Sequence, residues 1–286
     1  MADRILVTGA TGTVGHELVR RLRERGETVR AASRFPTAAR DAFGEDVEIV
    51  EMDYDATDTW DAALQFVDRL FLMPPAFDPH AYATIRPFLD WAVSAGTRKV
   101  VLLSGMDVQN VPDLALHRLE RHLPDLDIPY VILRPNLYMQ NVSAGFLLDG
   151  IRQRGILELC AGEGEVSFVD ERDVAAVAAL TLCGAAHDGH ALTLTGAEAL
   201  DFHAVARVLS AAAGRPIRYA DADEARMREI LAEHRFAEGQ ADIALELFRS
   251  VRAGRRAAVH PDLSDALHRS PTSFTSFTVE HARVWR

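Results

Sequence analysis

The sequence predicts an α/β fold, a doubly wound parallel sheet carrying a small α+β lobe at its C-terminal end. Three observations carry that prediction. Short apolar runs rich in β-branched residues alternate with segments of helical period from the start of the chain to about residue 140. The first such run, Ile5 to Val7, leads directly into Gly9, Gly12 and Gly15, with Val14, Leu18 and Leu22 recurring behind at helical spacing. Beyond Gly150 the rhythm shifts to shorter strands and to helices rich in Ala, Arg and Glu.

Taken in order, the opening stretch is a strand, a tight turn and a helix start. Glycines let the backbone turn sharply and approach a ligand closely, and a helix N-terminus offers unpaired N–H groups at the positive end of its dipole. That combination suits a pyrophosphate. The helix runs from Val14 to Arg25 and Gly26 ends it. Thr28 to Ala32 is the second strand. Many dinucleotide-binding folds place an acid at its end for the ribose hydroxyls, but Ser33 and Arg34 stand here. An acid would repel a 2′-phosphate, whereas arginine can fork onto it, so the pattern favours NADP over NAD. The competing reading of Arg34 is a solvated loop charge.

Val47 to Met52 reads as the third strand, followed by Asp53 and Tyr54. Asp53 at that strand end suits the adenine side of a cofactor, and equally a turn or N-cap. Trp60, Leu64 and Val67 form a helical face, and Arg69 to Met73 is the fourth strand, stopped by Pro74 and Pro75. Prolines closing a strand at the sheet crevice give a rigid wall beside which a ligand can sit. Tyr82 to Val93 marks a long helix ending at Gly96. Val100 to Leu103 is the fifth strand, with Ser104 at its tip, and the helical segment Leu114 to Leu123 carries His117, Glu120 and His122. Tyr130 to Leu133 is the next strand and ends in Arg134-Pro135-Asn136-Leu137-Tyr138.

In the second half, Ile156 to Cys160 and Val166 to Val169 are short strands around Gly162 and Gly164. Asp170 to Asp173 caps a helix reaching Leu182. Ala191 to Thr195 is a further strand, and Asp201 caps a helix from Phe202 to Ala213. Two helices are expected over 222–253, then a serine- and threonine-rich link toward Phe277, His281 and Trp285. The expected division is a dinucleotide-binding domain over 1–150 and a small substrate or lid lobe over 151–286, interleaved with the first.

Composition narrows the partners. At 286 residues, with 48% hydrophobic and 26% charged residues, the chain can build a full core without staples. A net charge of −11 argues against general nucleic-acid binding. Cys160 and Cys183, the only cysteines, read as reduced packing residues. Asp3 and Arg4 interrupt any apolar leader, and no apolar run is long enough to span a membrane, so a cytoplasmic protein acting on a small molecule is expected. No metal is expected.

The glycine turn, the Arg34 strand end and the stretches LFLMPP, VVLLSGMD, YVILRPNLYMQN and VSFVDERDVAAVA together resemble the NmrA-like atypical short-chain dehydrogenases, in particular the NADPH:quinone oxidoreductase-like branch. The similarity covers nearly the whole chain. It implies a Rossmann domain holding NADP(H) beneath a small C-terminal lobe. It places cofactor contacts at Gly9, Thr11, Gly12, Thr13, Val14, Arg34, Asp53, Tyr54, Met73, Pro74, Pro75, Ser104, Pro135 and Asn136. Some members reduce quinones or other conjugated acceptors. Others bind the dinucleotide and sense redox state without turnover.

One departure from the wider superfamily shapes the chemistry. Ordinary short-chain dehydrogenases pair a tyrosine with a lysine four residues later, which lowers the tyrosine pKa so that it can donate a proton. Lys99 is the only lysine here, Ala95 stands four residues before it, and a loop at the far end of the sheet is its expected place. Isoflavone-reductase-like relatives use a lysine on the helix after the fifth strand, where this chain offers His117. A histidine can exchange a proton near neutral pH, so His117 and Tyr138 are the candidate catalytic residues, with a structural histidine as the competing reading. Without a tuned acid, the expected acceptor is quinone-like or a conjugated carbonyl, including a polycyclic aromatic biosynthetic substrate. Tyr138, Met139, Phe146 and Phe168 are candidate pocket walls.

Overall fold

The computed structural model describes residues 3–286. In chain order its elements are β1 (Arg4–Val7), α1 (Thr13–Glu24), β2 (Thr28–Ser33), α2 (Pro36–Phe43), β3 (Glu48–Glu51), α3 (Trp60–Leu64), β4 (Arg69–Leu72), α4 (Ala81–Ser94), β5 (Lys99–Leu103), α5 (Ala115–His122), β6 (Tyr130–Pro135) and α6 (Leu148–Arg154). They continue with β7 (Ile156–Leu159), β8 (Glu165–Val166), α7 (Glu171–Cys183), β9 (His190–Leu194), β10 (Leu200–Asp201), α8 (Phe202–Ala213), β11 (Arg218–Asp221), α9 (Glu224–Glu233), α10 (Glu238–Arg252), α11 (Asp262–Leu267) and α12 (Phe274–Glu280).

The chain divides into two units: one reaches Arg134 and takes back Glu171–Thr193, and the other comprises Pro135–Asp170 and Leu194–Arg286. Residue 150, the divide expected from the sequence, lies within α6 of the second unit. The physical reason is packing. α7 lies against α1, β4 and β5, so it belongs with the sheet although it follows three elements of the other unit.

The first unit is a seven-stranded sheet in the order β3-β2-β1-β4-β5-β6-β9. β1 pairs in parallel with both β2 and β4, and the parallel pairing continues from β2 to β3 and from β4 through β5 to β6. Leu6, Leu70, Leu72, Val100 and Leu102 point to one face, where they meet Trp60, Leu64, Ile85, Phe88, Leu89 and Leu119 of α3, α4 and α5. The pleat sends Ile5, Val7, Phe71 and Val101 to the opposite face, and all are buried. Both faces are therefore covered, which is why the strands read as unbroken apolar runs rather than as an alternation. Each fully buried leucine contributes about 1.5–3 kcal/mol on this account. β4 stops one residue before its expected end, because Pro74 cannot donate to the ladder and restricts Met73 before it.

The second unit has a parallel pair, β7 with β11, and an antiparallel pair, β8 with β10. Asp201 caps α8 as expected, its Oδ1 accepting from the Ala204 N–H at 2.5 Å. Phe168, Phe202, Phe274, Phe277 and Trp285 form an aromatic core. The tail is a structural element: Trp285 is fully buried and its indole N–H donates to the Val142 carbonyl at 2.6 Å. Among the described residues no helix is long and apolar enough to cross a membrane.

Candidate functional site

The turn after β1 is built around its glycines. Gly9 has φ +60°, and a Cβ there would stand 2.1 Å from the Met73 Cε. Gly15 admits the backbone itself, since a Cβ would lie 2.2 Å from the Gly9 carbonyl oxygen. The Gly12 N–H closes the turn on Gly9 O at 2.9 Å, and His16 N–H is the amide that returns to Gly12 O, at 2.7 Å. The amides of Thr13, Val14 and Gly15 therefore open α1 with no partner inside the helix. Among the described residues no side chain caps them, and the first turn carries no acid. Thr11 and Thr13 are exposed, whereas the Val14 side chain is buried, so Val14 can offer a ligand only its backbone.

The neighbouring strand ends differ in what they leave open. Arg34 and Phe35 are exposed just past β2, with the guanidinium carbon 5.7 Å from the ring centroid. Among the described residues Arg34 has no acidic partner. Asp53 organises its own turn: its Oδ1 accepts from the Asp55 N–H at 3.1 Å and its carbonyl from the Trp60 indole at 2.9 Å. Tyr54 is committed to the sheet. Its hydroxyl lies 3.0 Å from Thr8 Oγ1 and 3.2 Å from the Met73 carbonyl. The buried Thr8 hydroxyl in turn donates to Phe71 O at 3.0 Å and accepts the Met73 N–H at 2.8 Å. Burial pushes the Tyr54 phenol well above its usual range, so it holds β1 and β4 together rather than exchanging protons. Pro74 is buried and Pro75 exposed.

At the β5 tip, Ser104 donates its hydroxyl to Glu120 Oε1 at 2.6 Å. Arg134, one residue before the end of β6, clasps the same carboxylate, Nη2 to Oε2 at 2.6 Å and Nε to Oε1 at 3.0 Å. His117 lies one turn before Glu120 on α5, half-buried, with Nδ1 3.2 Å from the Val108 carbonyl. A carbonyl only accepts, so Nδ1 carries the hydrogen and Nε2 is left for another partner.

Pro135, Asn136 and Tyr138 belong to the second unit. Asn136 is 3% exposed and its amide donates to Ser167 Oγ at 2.9 Å and to Arg256 O at 2.8 Å, while its Oδ1 is buried with no partner among the described residues. Tyr138 is half-buried and bridges in parallel to Val169. Met139 and Phe168, two of the expected pocket walls, are 1% and 3% exposed and serve as core. Phe146 does line a cavity of about 320 Å³ within the second unit, together with Arg154, Glu158, Arg226 and His234.

The sequence model of the NmrA-like family matches residues 1–266. The chain belongs to the NmrA-like family. A (4-alkanoyl-5-oxo-2,5-dihydrofuran-3-yl)methyl phosphate reductase from Streptomyces griseus is 32% identical, covering 98% of this chain and 99% of its own. An NAD(P)H azoreductase from Xenophilus azovorans is 30% identical at 98% and 99% coverage. Among solved structures, an NADPH-dependent quinone oxidoreductase from Escherichia coli, complexed with NADPH, superimposes with a TM-score of 0.84 over 96% of this chain and 99% of that one. At 23% identity that likeness concerns the fold.

Within this NmrA-like chain the sequence reading singled out Ser104 and His117 but gave no role to Glu120 or Arg134. The signal that would have found them is the coincidence of a carboxylate on α5 with an arginine at the β6 end, a pairing visible only once the two elements are adjacent. Lys99 needs a correction: it opens β5 instead of lying in a loop. It is 8% exposed, its ammonium is held by the Gly184 carbonyl and the Asp188 carboxylate, and it sits at the strand end opposite Ser104.

Proposed function

We propose that this chain is an NADPH-dependent reductase that transfers hydride to quinone-like or conjugated carbonyl acceptors. The observation that carries the reading is the glycine turn opening onto uncapped α1 amides, beside an arginine with no acidic partner at the β2 end. The residues fit a phosphorylated dinucleotide: the amides of Thr13, Val14 and Gly15 would meet its pyrophosphate, and Arg34 its 2′-phosphate. NADPH, when bound, supplies the hydride. The name of the azoreductase relative supports a conjugated acceptor.

The protein's own chemistry points the same way. Reducing a simple ketone creates a basic alkoxide and calls for a tuned acid in the transition state. Lys99, bonded to Gly184 and Asp188, is not available to tune a tyrosine. A quinone or conjugated carbonyl spreads the developing charge into a phenolate or enolate, which His117 Nε2, Tyr138 or water can protonate. The chain then has chiefly to hold a flat acceptor at near-attack distance, a positioning task.

NADPH oxidation measured against quinones, conjugated carbonyls and simple ketones tests the reading. The expected ranking puts the first two classes well above the third, and the reverse ranking would overturn it. His117→Asn is expected to lower kcat by roughly a hundredfold with little change in NADPH affinity if the histidine relays the proton. Normal turnover would assign that role to Tyr138 or water. NADPH binding without turnover on any acceptor class would instead favour a redox-sensing regulator.

A further inference from the structure

We propose that Glu120 and Arg134 hold Ser104 as a hydrogen-bond acceptor at the tip of β5, and that it receives the carboxamide N–H of the nicotinamide ring. The inference rests on the dinucleotide reading above and assigns the far end of that ligand.

Proton placement carries the first part. Glu120 is 5% exposed and Arg134 grips both of its oxygens, a bidentate geometry that belongs to an ionised carboxylate. An ionised carboxylate only accepts, so the proton on the 2.6 Å contact comes from the Ser104 hydroxyl. The Ser104 backbone N–H is committed as well, to the Leu133 carbonyl at 2.8 Å. Both hydrogens of the residue are thus engaged within the protein. What Ser104 Oγ retains is lone-pair capacity. It can receive a donor, and it has nothing to give to the oxyanion of a ketone being reduced.

Sheet order carries the second part. β2 and β4 flank β1, and β5 lies beyond β4. With the pyrophosphate on the turn after β1 and Arg34 drawing the phosphorylated ribose toward β2, the other half of the dinucleotide extends over β4 and β5. Strands about 4.8 Å apart put the β5 tip roughly 10 Å from the turn, beyond the ribose and at the nicotinamide. That half offers two kinds of donor, ribose hydroxyls and the carboxamide N–H, and the ring end is the one that reaches β5. Glu120 and Arg134 act through Ser104 and are positioning residues.

Calorimetric titration with NADP⁺ and with its 3-acetylpyridine analogue tests the proposal, because the analogue keeps every ribose hydroxyl and replaces the carboxamide NH₂ with a methyl group. The unmodified protein is expected to bind NADP⁺ roughly tenfold more tightly than the analogue, the worth of about one net hydrogen bond. Ser104→Ala should bring the two affinities to within about twofold of each other, and Ser104→Thr, which keeps the hydroxyl, should restore the preference. Glu120→Gln frees the serine hydroxyl to rotate and should at least halve the preference, whereas a merely structural role would weaken both ligands alike. A preference unchanged in Ser104→Ala, or no preference in the unmodified protein while both ligands bind, overturns the proposal and leaves the reductase reading standing. A preference lost in Ser104→Ala but intact in Glu120→Gln overturns the positioning role. Failure to bind either ligand overturns the cofactor reading itself, and this proposal with it.

Discussion

Two glycine turns, the ones after β1 and β7, each have an arginine near them and have opposite fates. After β1, the amides at the start of α1 have no partner within the helix, and Arg34 at the next strand end has no acid beside it among the described residues. After β7, the Gly162 N–H donates to Asp221 Oδ1 at 2.9 Å, and Arg252 Nη2 reaches both oxygens of the same carboxylate at 2.8 and 3.0 Å. A Cβ on Gly164 would lie 2.1 Å from the Val251 carbonyl, so that glycine is needed for the close approach of α10. The first turn keeps its donors and its cation open, whereas the second satisfies both internally. A glycine pattern signals a ligand only where the backbone amides it exposes are left without partners.

The sharpest way to break this contrast is to substitute one glycine in each turn. Gly12→Val should lower the affinity for NADP(H) and NAD(H) more than roughly a hundredfold, or about 2.7 kcal/mol, because a branched side chain stands where the pyrophosphate must lie. Its backbone (φ −75°, ψ 166°) suits valine, but a Cβ there would lie 3.1 Å from Met73 Cε and 3.2 Å from the Gly9 carbonyl oxygen, so Tm should fall somewhat as well, and calorimetry on the folded protein should show the loss of affinity. Gly164→Ala should do the reverse: a destabilisation of about 1–3 kcal/mol from the clash with Val251, seen as a lowered Tm, with cofactor affinity unchanged in the folded protein. Equal effects of the two substitutions on affinity would erase the distinction.

The arginines sharpen the comparison further. Arg34→Ala should weaken NADPH binding by roughly tenfold to a hundredfold, as expected for losing a charge-assisted hydrogen bond, while leaving NADH nearly unchanged. Equal affinities for the two cofactors in the unmodified protein would remove the role given to Arg34.

The smallest effect is expected at Asp221. Burial opposes its ionisation, but the hydrogen bonds from Gly162, Tyr219 and Arg252 outweigh it and hold its carboxyl below the usual range. A carboxyl depressed in the folded state contributes stability above its unfolded pKa of about 3.9, and that stability fades as pH falls through the lower folded value. Asp221→Asn should therefore lower stability at neutral pH by at most about 1 kcal/mol, since the pair is partly exposed and screened by salt. Denaturant titrations should find the difference shrinking below pH 4; a pH-independent difference would show that packing, and not charge, is what the carboxylate supplies.

Local patterns made much of this molecule legible in advance. The buried strands of the parallel sheet announce themselves as apolar runs, and α1 and α8 as periodic stretches with recognisable ends at Gly26 and Asp201. α2, α6, α11, α12, β10 and β11 escaped that reading. β10 has only two residues, and β11, Arg218–Asp221, carries charges at both ends and gains its structure from pairing with β7.

By itself, the sequence determined the α/β class, the NmrA-like resemblance and the place of the glycine turn, because each rests on residues close together in the chain and on the 2.0 and 3.6 periods of backbone geometry. Tertiary structure decided which of those residues are open to a ligand. Tyr54 is tied to Thr8 across 46 positions, Lys99 to Asp188 across 89, and Ser104 to Glu120 across 16. It likewise returned α7 to the sheet and closed the second glycine turn with Asp221. A hydrogen-bond donor is available or committed according to what folds against it, and side-chain periodicity carries no record of partners so distant along the chain.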